Sequence, residues 1–158
     1  MIHDKCGTPD CCGKCVVIKN KLYRYKQILD NIDGDQEKYV WIMDYGKNSI
    51  PMESDHKIKS FEVQGCQTQT WLVPHFVEDK MYFTADSAAL ISKGMVSMIA
   101  DVYSGSSAQD INDFDQDEFD ILNLSTLLTP GRNNGVNGML KKIKDYAKMH
   151  LKDSLAHA

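Results

Sequence analysis

The chain has 158 residues, 42% apolar and 25% charged, which is enough for one compact domain and too little for two large ones. Eighteen Lys and Arg against 22 Asp and Glu leave a net charge of −4, so the chain is not built to coat nucleic acid or an anionic membrane. Only two of those basic residues are arginines, and four of the five cysteines (Cys6, Cys11, Cys12 and Cys15) crowd the first fifteen residues while Cys66 stands alone.

Five cysteines cannot all pair within one chain, and a secreted scaffold would spread them through the fold, so a reducing compartment is expected. The start lacks the apolar run of a signal peptide and the arginines of a transit peptide, and no stretch reaches the roughly 18 apolar residues of a membrane span. The expected location is the cytoplasm.

Residues 1 to 16 read as a cysteine-rich tail without a core, followed by one domain over 17 to 158. From Val17, apolar residues at three- and four-residue steps (Leu22, Tyr25, Ile28, Leu29, Ile32) predict a helix that Gly34 stops. A second helix is predicted from Asp35 to Tyr45, with Tyr39, Val40, Ile42 and Met43 near one face and Gly46 after its end. A loop follows around Pro51. Three extended runs come next: Phe61 to Gln64, Trp71 to about Pro74, and Met81 to Thr84, the last two separated by the polar turn Glu78-Asp79-Lys80. They suggest a three-stranded antiparallel meander. Asp86 or Ser87 can cap the helix after it, whose apolar positions Leu90, Ile91, Met95, Val96, Met98, Ile99 and Val102 make it central. Short acidic helices over Ser107–Phe114 and Asp117–Leu122 lead to a last helix from about Arg132 to Leu155, with Leu140, Ile143, Tyr146, Ala147 and Leu151 inward and its lysines largely outward. The predicted fold class is α+β, a small antiparallel three-stranded sheet packed against several helices.

Cys66 lies in Gly65-Cys66-Gln67, where a glycine frees the backbone and a turn can present a thiol at the end of the sheet. A lone cysteine is most often a small buried hydrophobe, yet the polar string Gln67-Thr68-Gln69-Thr70 is an unusual neighbourhood for a core filler. The residues alone leave both readings open. Arg132, near a helix start, could hold a carboxylate or an anionic sulfur species, or serve as a structural ion pair. Lys93 could suggest a Schiff base, but it stands on a helix in a chain too short for a complete pyridoxal enzyme and reads as a structural or surface lysine. His75 after Pro74 lacks the companions of a cysteine–histidine hydrolase. In the tail, Cys12 and Cys15 have ligand-pair spacing, so Cys6, Cys11, Cys12 and Cys15, with His3 upstream, could hold a tetrahedral zinc ion.

The run Val63-Gln64-Gly65-Cys66-Gln67-Thr68-Gln69-Thr70-Trp71-Leu72-Val73 resembles the central segment of the SufE family, VxGCQSxVWL. Two blocks follow in the family's order: Ala85-Asp86-Ser87-Ala88-Ala89-Leu90-Ile91-Ser92-Lys93-Gly94 is similar to GDSDAxIVKG, and Leu128-Thr129-Pro130-Gly131-Arg132-Asn133-Asn134-Gly135 to LTPSRSxGL. Three ordered blocks are far more specific than one. With Tyr103-Ser104-Gly105 and Phe114-Asp115, the resemblance covers about residues 17 to 150 and leaves the tail outside. Gly131 and Asn133 stand where the family usually has serines, and Ala85 and Ala89 replace a glycine and an aspartate.

The resemblance implies a SufE/NifU-like single domain in which Cys66 accepts sulfur from a pyridoxal-phosphate cysteine desulfurase, activates that enzyme, and passes the sulfur to an iron–sulfur scaffold complex. Arg132, Asp86, Gly65 and Gln67 are then the supporting or partner-contacting residues. No cofactor of its own is expected, because the pyridoxal phosphate resides on the desulfurase, and either a monomer or a homodimer fits. The alternative is an iron–sulfur scaffold or metal-binding module using the N-terminal cysteines, which the single cysteine of the folded part does not favour.

Overall fold

The computed structural model describes residues 16–156. The elements run α1 (Val16–Asp30), α2 (Asp35–Lys47), β1 (Thr70–Val77), β2 (Lys80–Ser87), α3 (Leu90–Tyr103), α4 (Ala108–Asp113) and α5 (Pro130–Ala156), with 3-10 turns in the connections. Helices pack on a small antiparallel sheet, the expected α+β class.

The sheet has two strands among the described residues, not three. β1 and β2 form a hairpin in register from Thr70 opposite Ser87 to Val77 opposite Lys80. The run from Phe61 to Gln64 contributes one isolated bridge, Glu62 to Trp71, with Val63 N–H on the Thr70 carbonyl at 2.8 Å. Its alternation is too short to continue: Phe61 closes a 3-10 turn, and Gly65, at φ +85°, turns the chain away. Pro74 lies within β1 rather than at its end, which an outer strand tolerates because that residue's missing N–H faces away from the partner strand.

α3 is the axis of the core. Ile91, Met95, Met98, Ile99 and Val102 are buried, whereas Leu90, expected inward, is half exposed. α1 buries Ile18, Leu22, Tyr25 and Leu29, so its inward stripe begins at Ile18 and leaves Val17 exposed. α2 does not stop before Gly46 but runs through it. A Cβ there would lie 2.6 Å from the Gly94 nitrogen of α3, and a Cβ on Gly94 would collide with the Ile42 carbonyl. The two glycines therefore mark where the backbones of α2 and α3 touch, not where a helix ends. Val40, expected inward on α2, is also exposed.

α5 begins two residues earlier than expected, with Pro130 in the first turn, where its missing N–H costs nothing. It buries Met139, Leu140, Ile143 and Ala147. Not all its lysines face outward: Lys144 Nζ donates to the Phe114 carbonyl at 2.6 Å and anchors the aromatic cluster of Tyr103, Phe114 and Phe119.

Candidate functional site

The segment from Val63 to Gln69 lies along the first turns of α5, and glycines on that helix let it approach. A Cβ on Gly138 would collide with the Gln64 carbonyl, one on Gly135 would sit 3.1 Å from Cys66 Sγ, and one on Gly131 2.7 Å from Gln67 Oε1. Spaced four and three apart, the three fall on one helix face and form a trough for the cysteine loop. Gly131, a departure from the family pattern, is the position that admits the Gln67 side chain.

Cys66 is half-buried and is the free cysteine among the described residues. Its Sγ contacts the Gly135 carbonyl at 3.8 Å. Beside it is a cleft of about 20 Å³ whose lining includes Cys66, Gln67, Thr70, Ser92 and Arg132. That is space for about one water-sized group, since ~10–15 Å³ accommodates one. Burial pushes the Cys66 thiol above its ordinary value, and the Thr70 hydroxyl and the Arg132 charge pull it back only in part.

Arg132 has hydroxyl partners in place of the structural ion pair considered from sequence. Its Nη1 donates to Ser92 Oγ at 2.7 Å and to Thr68 Oγ1 at 3.3 Å. These belong to a wider hydroxyl cluster in which Thr70 Oγ1 donates to Ser87 Oγ at 3.0 Å and Ser87 Oγ donates to the Gln69 carbonyl at 3.0 Å. Gln67 Oε1 accepts from Thr129 Oγ1 at 3.3 Å. The loop is thus tethered to α3, α5 and the end of β2 by weak, replaceable bonds.

Asp86 corrects both of its expected roles. It does not cap α3, whose N-cap is Ala89 with no side-chain bond, and at 4% exposure it offers little surface to a partner. Its carboxylate accepts from Ser87 N–H at 2.8 Å and Met52 N–H at 3.3 Å, and pairs with Lys93 and Lys57, each at 3.4 Å. Burial pushes this carboxyl up, but those two N–H groups and two lysines outweigh it and hold it below the usual range. Lys93 is therefore structural, as its helix position suggested.

Cys66, Gln67 and Arg132 come together on one cleft, with Gly65 turning the chain beside them at positive φ, while Asp86 ties β2, α3 and the Met52 segment outside that lining. His75 is also elsewhere, bonded to Thr84 Oγ1 at 2.6 Å with its ring against His56. Sequence reading missed Ser92, Thr68 and Gly135. The four- and three-residue glycine spacing of Gly131, Gly135 and Gly138 was the available signal for the trough. Among the described residues no group of three or more His, Cys, Asp or Glu could hold a metal ion, and no helix is long and apolar enough to cross a membrane. The zinc reading of Cys6, Cys11, Cys12 and Cys15 lies outside the described residues, as does His3.

Fold and site define a small α+β domain that holds one cysteine on a loop turned by a glycine beside an arginine. Residues 24–147 match the family described as SufE, Fe-S metabolism associated domain. The chain is 32% identical over 132 residues to the SufE-like protein 1, chloroplastic/mitochondrial, of Arabidopsis thaliana, a match covering 83% of this chain but only 35% of that longer protein. It is also 32% identical over 131 residues to an uncharacterized SufE-like protein of Rhizobium etli, covering 78% of this chain and 88% of the relative. The fold is similar to the solution structure of a hypothetical protein from Thermus thermophilus, with a TM-score of 0.68 at 15% identity, covering 84% of this chain and 96% of that one. The chain belongs to the SufE family, whose domain is associated with Fe-S metabolism.

Proposed function

We propose that this protein is the sulfur acceptor and activator of a pyridoxal-phosphate cysteine desulfurase, and that Cys66 carries the sulfur to an iron–sulfur scaffold complex. The observation that carries this reading is the half-buried Cys66 thiol at the Gly65 turn, with Arg132 beside it and a cleft of about 20 Å³. So small a cleft suits one added atom and excludes a free amino acid, which fits a thiol that takes sulfur from another protein.

The Cys66 thiolate attacks the terminal sulfur of the desulfurase persulfide. A new S–S bond forms, the old one breaks, and the desulfurase cysteine leaves as a thiolate, so no external oxidant or metal is required. The transfer to the scaffold repeats the exchange. Because only the thiolate attacks and burial disfavours it, docking must draw the loop out or bring positive charge to it. Arg132, whose bonds are to exchangeable hydroxyls, is suited to hold the anionic persulfide. The pyridoxal phosphate stays on the partner.

The full chain is incubated with a cysteine desulfurase and cysteine, and its mass is read. One added sulfur on Cys66, absent from Cys66→Ser, is the expected result. No added sulfur on Cys66 overturns the reading, and a Cys66→Ser variant that still stimulates the desulfurase fully would make the protein a docking activator rather than a carrier.

A further inference from the structure

A second cleft, of about 560 Å³, opens between α2, β2 and α3. Its volume falls in the range of small-molecule sites, ~300–1,000 Å³. The Cys66 cleft meets α3 at Ser92, Met95 and Val96, whereas this one meets it at Ser97, Ala100 and Asp101 and, just past its end, Ser104. At about 100° per residue these are different faces of the helix, so the second cleft is independent of the sulfur-transfer reading.

Trp41, Tyr45 and Phe83 supply its aromatic wall, with the Trp41 and Tyr45 rings 5.5 Å apart. Asp44 and Asp101 are its charged lining residues, and among the described residues no lysine or arginine lines it. Lys21 and Arg24 approach Asp101 only at 3.8 and 4.0 Å, and Lys21 Nζ is committed to the Asp101 and Ser104 carbonyls, both at 2.8 Å. Asp101 is therefore paired at long range with two cations, and Asp44, which has no ion pair among the described residues, carries the uncompensated negative charge of the lining.

The hydrogen bonds fix the polarity of the rest. Tyr25 donates its one hydroxyl proton to Asp101 Oδ2 at 2.6 Å, so towards Tyr45, 2.5 Å away, it can only accept. Tyr45 spends its proton on Tyr25 and keeps only lone pairs for the cleft. Burial raises both phenols, which keeps these protons in place. Ser49 has likewise spent its proton on the Tyr45 carbonyl, and Ser104 on that of Ala100. The exceptions are the Trp41 indole N–H, the Asn48 amide, Thr84 beside His75, and Ser97, whose hydroxyl is sealed from solvent without a partner. A ligand matching such a surface brings donors and positive charge.

We propose that this cleft binds a small organic ammonium ion, its nitrogen held by Asp44, Asp101 and the Tyr45 oxygen and its carbon body lying on Trp41. Aromatic faces attract cations as well as apolar groups, so wall and carboxylates favour the same ligand class.

The test titrates the full chain with benzylammonium, benzyl alcohol and benzoate, probes of one shape that are cationic, neutral and anionic, and follows amide and indole resonances by NMR. Benzylammonium is expected to produce saturable shifts at the Trp41 indole and the Tyr45 and Asp101 amides, with Kd in the millimolar range. Benzyl alcohol is expected to bind about tenfold more weakly, equivalent to ~1.4 kcal/mol, and benzoate not at all. Asp44→Asn, at an exposed position, and Tyr45→Phe should each weaken benzylammonium several-fold. Equal binding of the three probes, tighter binding of benzoate, no saturable shift at Trp41, or an affinity unchanged in both variants overturns the proposal.

Discussion

Two places in this molecule depend on glycines that let backbone meet a helix, and they behave differently. Where α2 crosses α3, Gly46 and Gly94 bring two regular helices into direct contact, and neither can move without disturbing the core around Ile42, Met95 and Met98. Where the cysteine loop lies on α5, Gly131, Gly135 and Gly138 face a side-chain end, a thiol and one loop carbonyl, and the loop is tethered by hydroxyl bonds mostly 3.0 to 3.4 Å long. The first contact is rigid because both partners are; the second can open because one partner is a loop. The sulfur-transfer role proposed above would need both kinds, a core that stays and a latch that yields.

The largest effect should come from the rigid side. Asp86 is buried and binds two lysines and two backbone N–H groups, so Asp86→Asn leaves Lys93 without its charge partner and should cost about 3 kcal/mol by urea unfolding. The pH sign follows from its lowered carboxyl. A group whose folded value lies below the unfolded one stabilises above the unfolded value, ~3.9, and that contribution disappears as pH falls through the folded value. Wild type should therefore lose stability below about pH 4 more steeply than Asp86→Asn.

Gly94→Ala tests the crossing itself. The new methyl meets the Ile42 carbonyl and, at 2.7 Å, Ile42 Cγ2, so overpacking should outweigh the better helix propensity of alanine and cost about 2 kcal/mol. Gly138→Ala is the matching change on the loop side. Its methyl also meets a carbonyl, that of Gln64, but here the loop can retreat, so the stability loss should stay near or below about 1 kcal/mol. Alkylation of Cys66 should meanwhile accelerate several-fold. Equal stability losses in the two variants, with no change at Cys66, would erase the distinction between the two contacts.

What the sequence disclosed follows the same division. Local periodicity gave α3 and α5, because a stripe of buried apolar residues repeats over several turns, and the motif around Cys66 located the loop. The failures were in long-range contacts. Phe61 to Gln64 alternates like a strand, but Gly65 and the preceding 3-10 turn allow only one bridge. Gly46 looked like a helix stop because its partner, Gly94, is 48 residues away in sequence, and a glycine needed for close approach cannot be told from one needed for a turn without that partner. Asp86 looked like a cap because Ser87 and Leu90 follow it; its ties to Met52 and Lys57 run to a loop that carries no periodic signal. Arg132 and Cys66 were both legible as residues, but the hydroxyls of Ser92 and Thr68 that hold the arginine were not.

The finest effect is on the latch when it is closed. Burial raises Cys66, so its alkylation rate should climb with pH to a midpoint above the ~8.5 of a free thiol. The Arg132 charge opposes that shift; Arg132→Gln, which keeps a donor for Ser92 but removes the charge, should move the midpoint further up and slow alkylation at neutral pH. Loosening the latch predicts the opposite sign, since an exposed thiol loses the burial penalty and reacts faster. Arg132→Gln and Gly138→Ala therefore separate the two contributions to the reactivity of Cys66. If Arg132→Gln instead accelerates alkylation, the arginine acts as a tether for the loop, and its electrostatic effect on the thiolate is the smaller of its two roles.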